Sequence, residues 1–409
     1  MLSWKNISYD IYEKERLIMK TKVRLLFPCY FAFLVNGAMV LLVGAILPFL
    51  IEEAGVSYGV AGGFLSAFAI GNFAASFLNP VLAGKIGLKA TTVITSALIP
   101  ISFFLITLIP PVPVIYILFV AAGIGRGCCS IINNAVVNDN SDGKPMALNL
   151  LHMTFAIGAF AAPFLMSIYL DNGFNWRAIV YTIIIGSALA TAAYAWMKLD
   201  YDKPGKIQSE SSANQKNNFW KHPAFFITGL IMFFYLGLEN CVNGWFVTYF
   251  KSTGIMTDSF ATNLVSYTWL AVMLGRLLTA YLSARISKKV LIMIDCIATA
   301  LFFVLLISTQ NLNIITVAII GLGLFFAGIY PTCVSNASIA IKGSTLGTSM
   351  LLAMAALGGI ITPQIVGLVA DRIGLVGAIG VLLVNVVAMI LLSVLNYVQQ
   401  TKTEQEESR

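Results

Sequence analysis

The chain has 409 residues, of which 58% are hydrophobic and only 11% are charged. An ordinary soluble domain carries about 25% charged residues. The mean hydropathy of +0.86 points in the same direction. This composition excludes a soluble fold, and it supplies enough apolar residues for about twelve membrane-spanning helices of roughly 20 residues each.

The formal net charge of +7 does not indicate nucleic-acid binding, because the Lys and Arg residues lie in short connections between apolar segments. All six cysteines fall inside apolar segments without CxxC or CxxxC spacing, so neither a disulfide framework nor a metal site is expected. The sequence also lacks the Walker, HExxH and GxSxG motifs. We therefore expect no enzyme activity, no cofactor and no transport driven by hydrolysis within this chain.

Six apolar segments fill the first half of the chain, after a mixed-charge segment at 1–24. The first apolar run is too long for a signal-peptide core and is expected to remain as a span. A cluster of prolines at 110–113 divides a longer uncharged run into two spans. The six predicted spans lie between Arg24 and Glu52, between Glu53 and Lys85, and at about 90–110, 114–138, 146–170 and 176–197.

A polar, lysine-rich stretch at 198–222 follows and is predicted to link two half-domains. Six further apolar runs lie at about 223–250, 259–284, 290–308, 312–340, 345–370 and 373–397. The predicted organisation is therefore an N-terminal segment (1–24), a six-helix half (25–197), the linker (198–222), a second six-helix half (223–397) and a tail (398–409).

The orientation follows from the distribution of Lys and Arg over the connections. Most of these residues lie on the set of connections that holds both termini and the 198–222 linker. Basic residues concentrate on the cytoplasmic side of membrane proteins, so both termini are predicted to be cytoplasmic. The regular alternation also requires an even number of spans, and we predict twelve.

An internal repeat relates the two halves. In the fifth and eleventh spans the offset is 200, and it matches Ala156, Gly158, Pro163 and Asp171 with Ala356, Gly358, Pro363 and Asp371. In the fourth and tenth spans an offset of 198 matches Gly123, Gly125 and Asn138 with Gly321, Gly323 and Asn336. Two parallel repeats with a site between them are typical of transporters.

Together with the loop segment Gly84-Lys85-Ile86-Gly87-Leu88-Lys89, these features resemble the major facilitator superfamily. The resemblance covers nearly the whole chain, although Gly84 stands where the family's loop motif has Asp. It implies an all-α integral membrane fold of 12 transmembrane helices in two six-helix pseudo-repeats. It also implies a central cavity lined by the first, fourth, seventh and tenth spans.

Three motifs resemble the fucose/glucose/galactose permease group of that superfamily. They are the glycine motif at 121–125, the segment 148–152 followed by Phe155 and Gly158, and the segment 235–239 followed by Gly244, Trp245 and Tyr249. The resemblance implies a sugar:proton symporter in a plasma membrane, expected to be a bacterial cytoplasmic membrane. In that group the coupling acids lie in the first and fourth spans. In this chain Asn36 and Cys128 occupy approximately the positions of those two acids.

Two charged side chains are expected near the middle of the membrane. Arg126 lies about 20 Å and Glu239 about 17 Å from the outer ends of their spans, at a rise of 1.5 Å per residue. Charges at this depth are costly and usually face a cavity or a partner. They are predicted to line the solute path, with a purely structural ion pair between the half-domains as the alternative.

The seventh span carries polar and aromatic residues at helical spacing. Amides beside an aromatic face suit a neutral polyhydroxylated solute, whereas hydrogen bonding between helices is the alternative role for any one of them. Asn133 and Asn134 cannot both face the cavity. The predicted solute-binding residues are Asn36, Asn133, Tyr235, Glu239, Asn240, Asn243, Trp245 and Gln364.

Arg276 and Asp295 lie nearer the cytoplasmic side and are interpreted as a structural or gating pair. The predicted coupling or gating residues are therefore Glu239, Arg126, Arg276 and Asp295. Glu239 is the carboxylate expected closest to the middle of the membrane, so it is the first candidate to carry a proton with the solute.

The sequence predicts a secondary active transporter of a small polar solute, a sugar or polyol in the first instance. It is expected to work as a monomer by alternating access, with proton coupling as a further hypothesis. Two alternatives stay open at this point: efflux of amphipathic compounds, and a solute sensor that does not transport.

Overall fold

The computed structural model describes residues 4–140, 145–197, 219, 222–341 and 344–407. Across these residues the chain forms twelve α-helices and no strand. The helices of the first half are α1 (Trp4–Ala54), α2 (Tyr58–Ile86), α3 (Leu88–Ile106), α4 (Val112–Asp139), α5 (Pro145–Asp171) and α6 (Arg177–Trp196). Those of the second half are α7 (Pro223–Ser252), α8 (Asp258–Leu282), α9 (Lys288–Ile307), α10 (Leu312–Ile341), α11 (Thr345–Ala378) and α12 (Leu382–Glu407).

Local sequence signals explain where several helices begin. Ser57 caps α2 by accepting a hydrogen bond from the backbone of Val60, and Thr257 caps α8 in the same way through Phe260. Pro111 precedes α4, as the proline cluster predicts. Eleven helical segments are long and apolar enough to cross a membrane, and the last of them, Leu346–Lys402, includes both α11 and α12. The predicted twelve-helix class is confirmed.

Two predicted boundaries differ from the structure. Helix α1 already begins at Trp4, although its apolar part, Leu25–Ala54, agrees with the predicted span. The twelfth helix begins at Leu382, not at 373, because Gly374 adopts a φ of 77° and a short 3-10 turn follows at Ile379–Val381. Asp371 and Arg372, which divide the two predicted spans, lie just before Gly374, whereas the 3-10 turn lies in apolar sequence that composition does not mark. Apart from residues 219 and 222, the predicted linker lies outside the described residues.

The two halves repeat the same helix contacts. A Cβ atom on Gly158 would collide with the carbonyl oxygen of Leu34, which brings α5 against α1. A Cβ atom on Gly358 would collide with the carbonyl oxygen of Phe233, which brings α11 against α7 in the same manner. Small residues allow this close approach of helices in membranes. The structure therefore supports the repeat at an offset of 200.

The same comparison corrects the register of the fourth and tenth spans. Gly123 in α4 faces the carbonyl oxygen of Phe68 in α2, and Gly323 in α10 faces that of Thr268 in α8. These contacts are equivalent at an offset of 200, so Gly123 corresponds to Gly323. The offset of 198 for this span is wrong, because Gly321 packs instead against the ring of Phe302 in α9.

We expect Gly158→Ala to lower the thermal stability of the purified protein. The added methyl group has no room between α5 and α1, and overpacking of this kind costs about 1–3 kcal/mol. Gly84→Ala is the matched control, since a Cβ there meets no atom within 4 Å. Thermal unfolding in detergent provides the measurement. If the unfolding temperature of Gly158→Ala is equal to or higher than that of the Gly84→Ala control, the close approach of the two helices is contradicted.

The halves meet mainly through α2 with α11, α5 with α8, and α1 with α7. Among described residues, the side-chain hydrogen bonds that join the halves lie between the middle of the bundle and the end that carries the α1–α2 connection. Lys251 also lies over the ring of Phe49 at that end. The bundle is therefore closed at the end opposite the chain termini.

Candidate functional site

Three charged side chains meet between the two halves. Arg126 comes from α4, Glu239 from α7 and Arg276 from α8, and each remains partly exposed although it lies inside the helix bundle. The Glu239 carboxylate interacts electrostatically with both guanidinium groups, and the hydroxyl of Tyr235, one turn earlier in α7, lies beside it. Tyr330 of α10 also lies near this carboxylate. Partial exposure in the interior indicates that the cluster lines a cavity.

Arg126 and Glu239 do not form a direct ion pair among the described residues. Instead, Nη1 of Arg126 donates to Oδ1 of Asn72 in α2 at 2.7 Å. The Nε atom of Arg126 is buried and has no hydrogen-bond partner. The structural ion pair between Arg126 and Glu239, which was the alternative interpretation of these two charges, is therefore absent among the described residues in this conformation.

Arg276 belongs to the central cluster, because it interacts electrostatically with Glu239, Tyr235 and His152. Among the described residues it forms no ion pair with Asp295. The structural or gating role of these two residues as a pair therefore stays a prediction.

Asp295 lies in α9 with only 4% of its surface exposed. Its Oδ2 atom has no hydrogen-bond partner. This oxygen is close to Gly328 of α10, where an added Cβ would collide with it, and the Thr279 hydroxyl lies within 2.8 Å of the same Cβ position. Asp295 is thus a second buried carboxyl group, outside the central cluster, and its coupling or gating role stays a prediction.

Two amide side chains of α7 each use one of their two polar atoms in a hydrogen bond to a neighbouring helix. Asn240 donates to the carbonyl oxygen of Gly359 in α11 at 3.1 Å, and Asn243 accepts a hydrogen bond from the indole of Trp269 at 3.0 Å. Both side chains are partly exposed. These contacts fix the orientation of the amides and leave Oδ1 of Asn240 and Nδ2 of Asn243 for a solute.

Trp245 and Gln364 join α2, α7 and α11 on the side of the cluster towards the closed end of the bundle. Trp245 is fully buried, and its indole donates to the carbonyl oxygen of Pro363 at 3.0 Å. Gln364 donates across the interface between the halves to the carbonyl oxygen of Gly59 at 3.0 Å. In this conformation both side chains hold α2, α7 and α11 together, so contact with a solute would require the closed end to open.

Asn36 and Asn133 lie within the N-terminal half. Asn36 donates to the backbone carbonyl of Arg126 at 3.4 Å, and Asn133 accepts from the Tyr194 hydroxyl at 2.8 Å. Both amides are buried, at 3% and 0% exposure. One polar atom of each, Oδ1 of Asn36 and Nδ2 of Asn133, has no partner. In this conformation the two residues therefore contact other helices, and their binding role stays a prediction.

Sequence reasoning did not single out three residues that the structure brings to the cluster or its rim. They are Asn72, which holds Arg126, Tyr330 beside Glu239, and Trp269, which contacts Asn243 and stacks edge-on against Phe155 at 5.8 Å. Tyr330 could have been identified from the sequence, because it lies in the tenth span, which was expected to line the central cavity. Asn72 and Trp269 are recognised only through their partners.

The comparisons with known proteins agree with this architecture. A family model described as Major Facilitator Superfamily matches residues 29–349. The Glucose/mannose transporter GlcP of Bacillus subtilis is 26% identical over 402 residues, covering 92% of this chain and 94% of that protein. A Glucose/galactose transporter of Brucella abortus is 26% identical over 179 residues, covering 42% of this chain and 43% of that protein.

Among solved structures, the crystal structure of a D-xylose-proton symporter has a TM-score of 0.72, covering 92% of this chain and 97% of that one. The sequences are 12% identical, so this likeness shows the fold alone.

Proposed function

From the premise that the chain belongs to the major facilitator superfamily, we propose that it is a secondary transporter of a sugar or a closely related polyol. The observation that carries the proposal is the set of partly exposed polar groups between the two repeats, where Glu239 lies near Asn240 and Asn243 on α7. Amide and carboxylate groups can bind several hydroxyl groups of one solute. The similarity to the glucose/mannose transporter of Bacillus subtilis over most of both chains supports the same substrate class.

Alternating access would occur by rocking of the two halves around this cluster. With both termini cytoplasmic, the closed end is the outer end and the cavity opens to the cytoplasm. The basic connections support this orientation in a bacterial cytoplasmic membrane. We propose a monomeric functional unit, because a single chain contains both six-helix halves that alternating access requires.

Proton coupling belongs to the proposal through Glu239. Its carboxylate is partly exposed in the cavity, and a bound solute would lie beside it. Ionisable groups within membrane-spanning segments commonly serve as proton relays. Asp295 is the second candidate, because it is a buried carboxyl group with an unpartnered oxygen.

The direct test is uptake by purified protein in liposomes. We expect saturable uptake of a labelled sugar that an excess of the unlabelled sugar inhibits. Binding without flux would support the alternative of a sensor. Flux of amphipathic dyes without any sugar flux would support efflux, and either result would overturn the proposed function.

The orientation can be tested by labelling introduced cysteines with an impermeant maleimide. The six native cysteines are buried, so the background is expected to be low. Pro113→Cys in the exposed first turn of α4 should react in intact cells. Ser211→Cys in the predicted linker should react only after permeabilisation. Labelling of Ser211→Cys in intact cells would reverse the topology.

Asn243→Ala and Trp245→Ala are expected to have different effects. Asn243→Ala should raise the KM about tenfold at normal membrane abundance, because it removes one solute hydrogen bond from a partly exposed position. Trp245→Ala should instead lower stability by about 3–5 kcal/mol, because it empties a fully buried site. Transport kinetics and thermal unfolding of both variants provide the measurement. An unchanged KM in Asn243→Ala would remove this amide from the site.

A further inference from the structure

The central cluster carries more positive than negative charge. Arg126 and Arg276 contribute two guanidinium groups, and in the part of the chain that the structure describes Glu239 is the carboxylate that interacts with both. The imidazole of His152 also lies near Arg276. Among the described residues, the buried carboxyl group of Asp295 forms no ion pair with either arginine. With Glu239 ionised, the cluster therefore has a net charge of one positive unit.

Both arginines retain unused hydrogen-bond donors. Arg126 uses one nitrogen for Asn72, while its Nε is buried without a partner. In the described part of the chain, Arg276 makes no side-chain hydrogen bond or ion pair that would fix its guanidinium group. A buried charge without a partner is costly, and the cost rises when a transporter closes around its site and excludes water. A group that arrives with the solute can provide the missing partner.

We propose that the transported solute is a monoanionic sugar acid, such as an aldonate or a uronate, whose carboxylate binds between Arg126 and Arg276. This inference rests on the proposed sugar transport and names the substrate class of the same site. Guanidinium groups bind carboxylates through two parallel hydrogen bonds, which is a strong and directional contact. Asn240 and Asn243 on α7 would bind the hydroxyl groups.

The charge balance distinguishes three solute classes. A monoanion and the ionised Glu239 together provide two negative charges against two guanidinium groups, so the occluded site is neutral. A neutral sugar leaves one positive charge uncompensated in the closed site. A sugar phosphate carries close to two negative charges at neutral pH and leaves an excess of negative charge beside the ionised Glu239. When Glu239 carries the coupling proton, a monoanion still leaves one positive charge where a neutral sugar leaves two. The cluster therefore favours an acidic sugar over its neutral counterpart in either protonation state of Glu239.

The position of the arginines gives this contact a role in transport. Arg126 lies in the N-terminal half and Arg276 in the C-terminal half. One carboxylate that binds both would draw the halves together around the solute. Binding energy of this kind favours the occluded state, because the contact to both arginines is complete only when the halves are close.

The test is a binding panel of matched neutral and acidic sugars with the purified full-length protein at constant ionic strength. Glucose is compared with gluconate, glucuronate and glucose 6-phosphate, and galactose with galacturonate. We expect at least one sugar acid to bind about tenfold or more tightly than its neutral counterpart. Arg276→Gln should remove this preference, whereas Arg285→Gln should keep it, because Arg285 is exposed and stacks on Tyr281 away from the cluster.

Each outcome decides the proposal. Neutral sugars that bind as tightly as their acids would overturn the inference and leave the proposed sugar transport intact. If the sugar phosphate binds most tightly, the proposed preference for a monoanionic solute is wrong. Failure of every sugar and sugar acid to bind would overturn the proposed function and the inference together. If Arg276→Gln does not fold, Arg276→Lys replaces it; this variant keeps the charge but loses the paired hydrogen bonds, so affinity for the acid should fall while the preference remains.

Discussion

Glu239→Gln is expected to abolish proton-driven accumulation of the solute while preserving exchange of solute across the membrane. Glutamine imitates the protonated acid in shape and in hydrogen bonding but cannot release a proton. Exchange requires only that the loaded carrier change conformation, whereas accumulation requires the proton to leave. The measurement compares pH-driven uptake with counterflow in liposomes that contain equal amounts of protein.

Two further variants make this experiment decisive. Glu52→Gln is the control, because Glu52 is an exposed carboxylate at the end of α1 and should leave both activities unchanged. Asp295→Asn tests the second buried carboxyl group. If Glu239→Gln accumulates solute as well as the parent protein while Asp295→Asn does not, the coupling role belongs to Asp295 and the assignment to Glu239 is wrong.

The same variant also reports on the charge cluster. Removing the charge of Glu239 leaves the guanidinium groups of Arg126 and Arg276 without their common carboxylate. The thermal stability of Glu239→Gln should therefore fall, and adding Arg126→Gln should restore part of it, because one uncompensated charge is removed. A double variant less stable than Glu239→Gln would show that Arg126 stabilises the protein chiefly through Asn72.

The helix pattern was predictable because the physical constraint on it is simple. A membrane span must be long, apolar and poor in charge, and most connections of this chain are marked by charged residues, by Pro or by a run of polar residues. At the α11–α12 boundary, Asp371 and Arg372 precede the break at Gly374, but the 3-10 turn at Ile379–Val381 lies in apolar sequence. Composition therefore indicates the break at Gly374 but not the start of α12 at Leu382.

The site was predictable in its composition but not in its contacts. Arg126 and Glu239 follow from the cost of burying charge, and the structure does bring them to one cluster. The assignment of Arg276 to the same cluster depends on the rotation of α8 against α7, which helical spacing within one segment does not specify. Likewise, the close packing of Trp245 becomes evident only when α2 and α11 are placed beside α7.

The closed end of the bundle depends on two aspartates that the repeat relates at an offset of 200. Asp371 at the end of α11 accepts hydrogen bonds from the Ser57 hydroxyl at 2.9 Å and from the backbone amide of Gly59 at 3.0 Å, at the start of α2. Asp171 at the end of α5 accepts from the Ser259 hydroxyl at 2.8 Å, at the start of α8. Each carboxylate thus lies at a helix N-terminus of the opposite half, where the helix dipole favours negative charge.

Replacing both aspartates, as in Asp171→Ala with Asp371→Ala, is expected to shift the carrier towards opening at this end. A hydrogen bond to a charged group contributes about 2 kcal/mol, so the loss of one cap changes the ratio of open to closed carrier about thirtyfold. The readout is Ser66→Cys, because Ser66 is buried at the α2–α11 contact and becomes accessible when the halves separate. Its rate of reaction with an impermeant maleimide should rise in the order parent, single variants, double variant.

Asp258→Ala provides the matched control for the two caps. Asp258 also lies at the start of α8, but it pairs with Lys251 of its own half at 2.8 Å and does not cross the interface. Removing it changes the net charge at the closed end by the same amount as removing either cap, without breaking a contact between the halves. If the double variant reacts no faster than Asp258→Ala, the two aspartates do not hold the halves together, and closure must depend on the apolar packing of α2 against α11 and of α1 against α7.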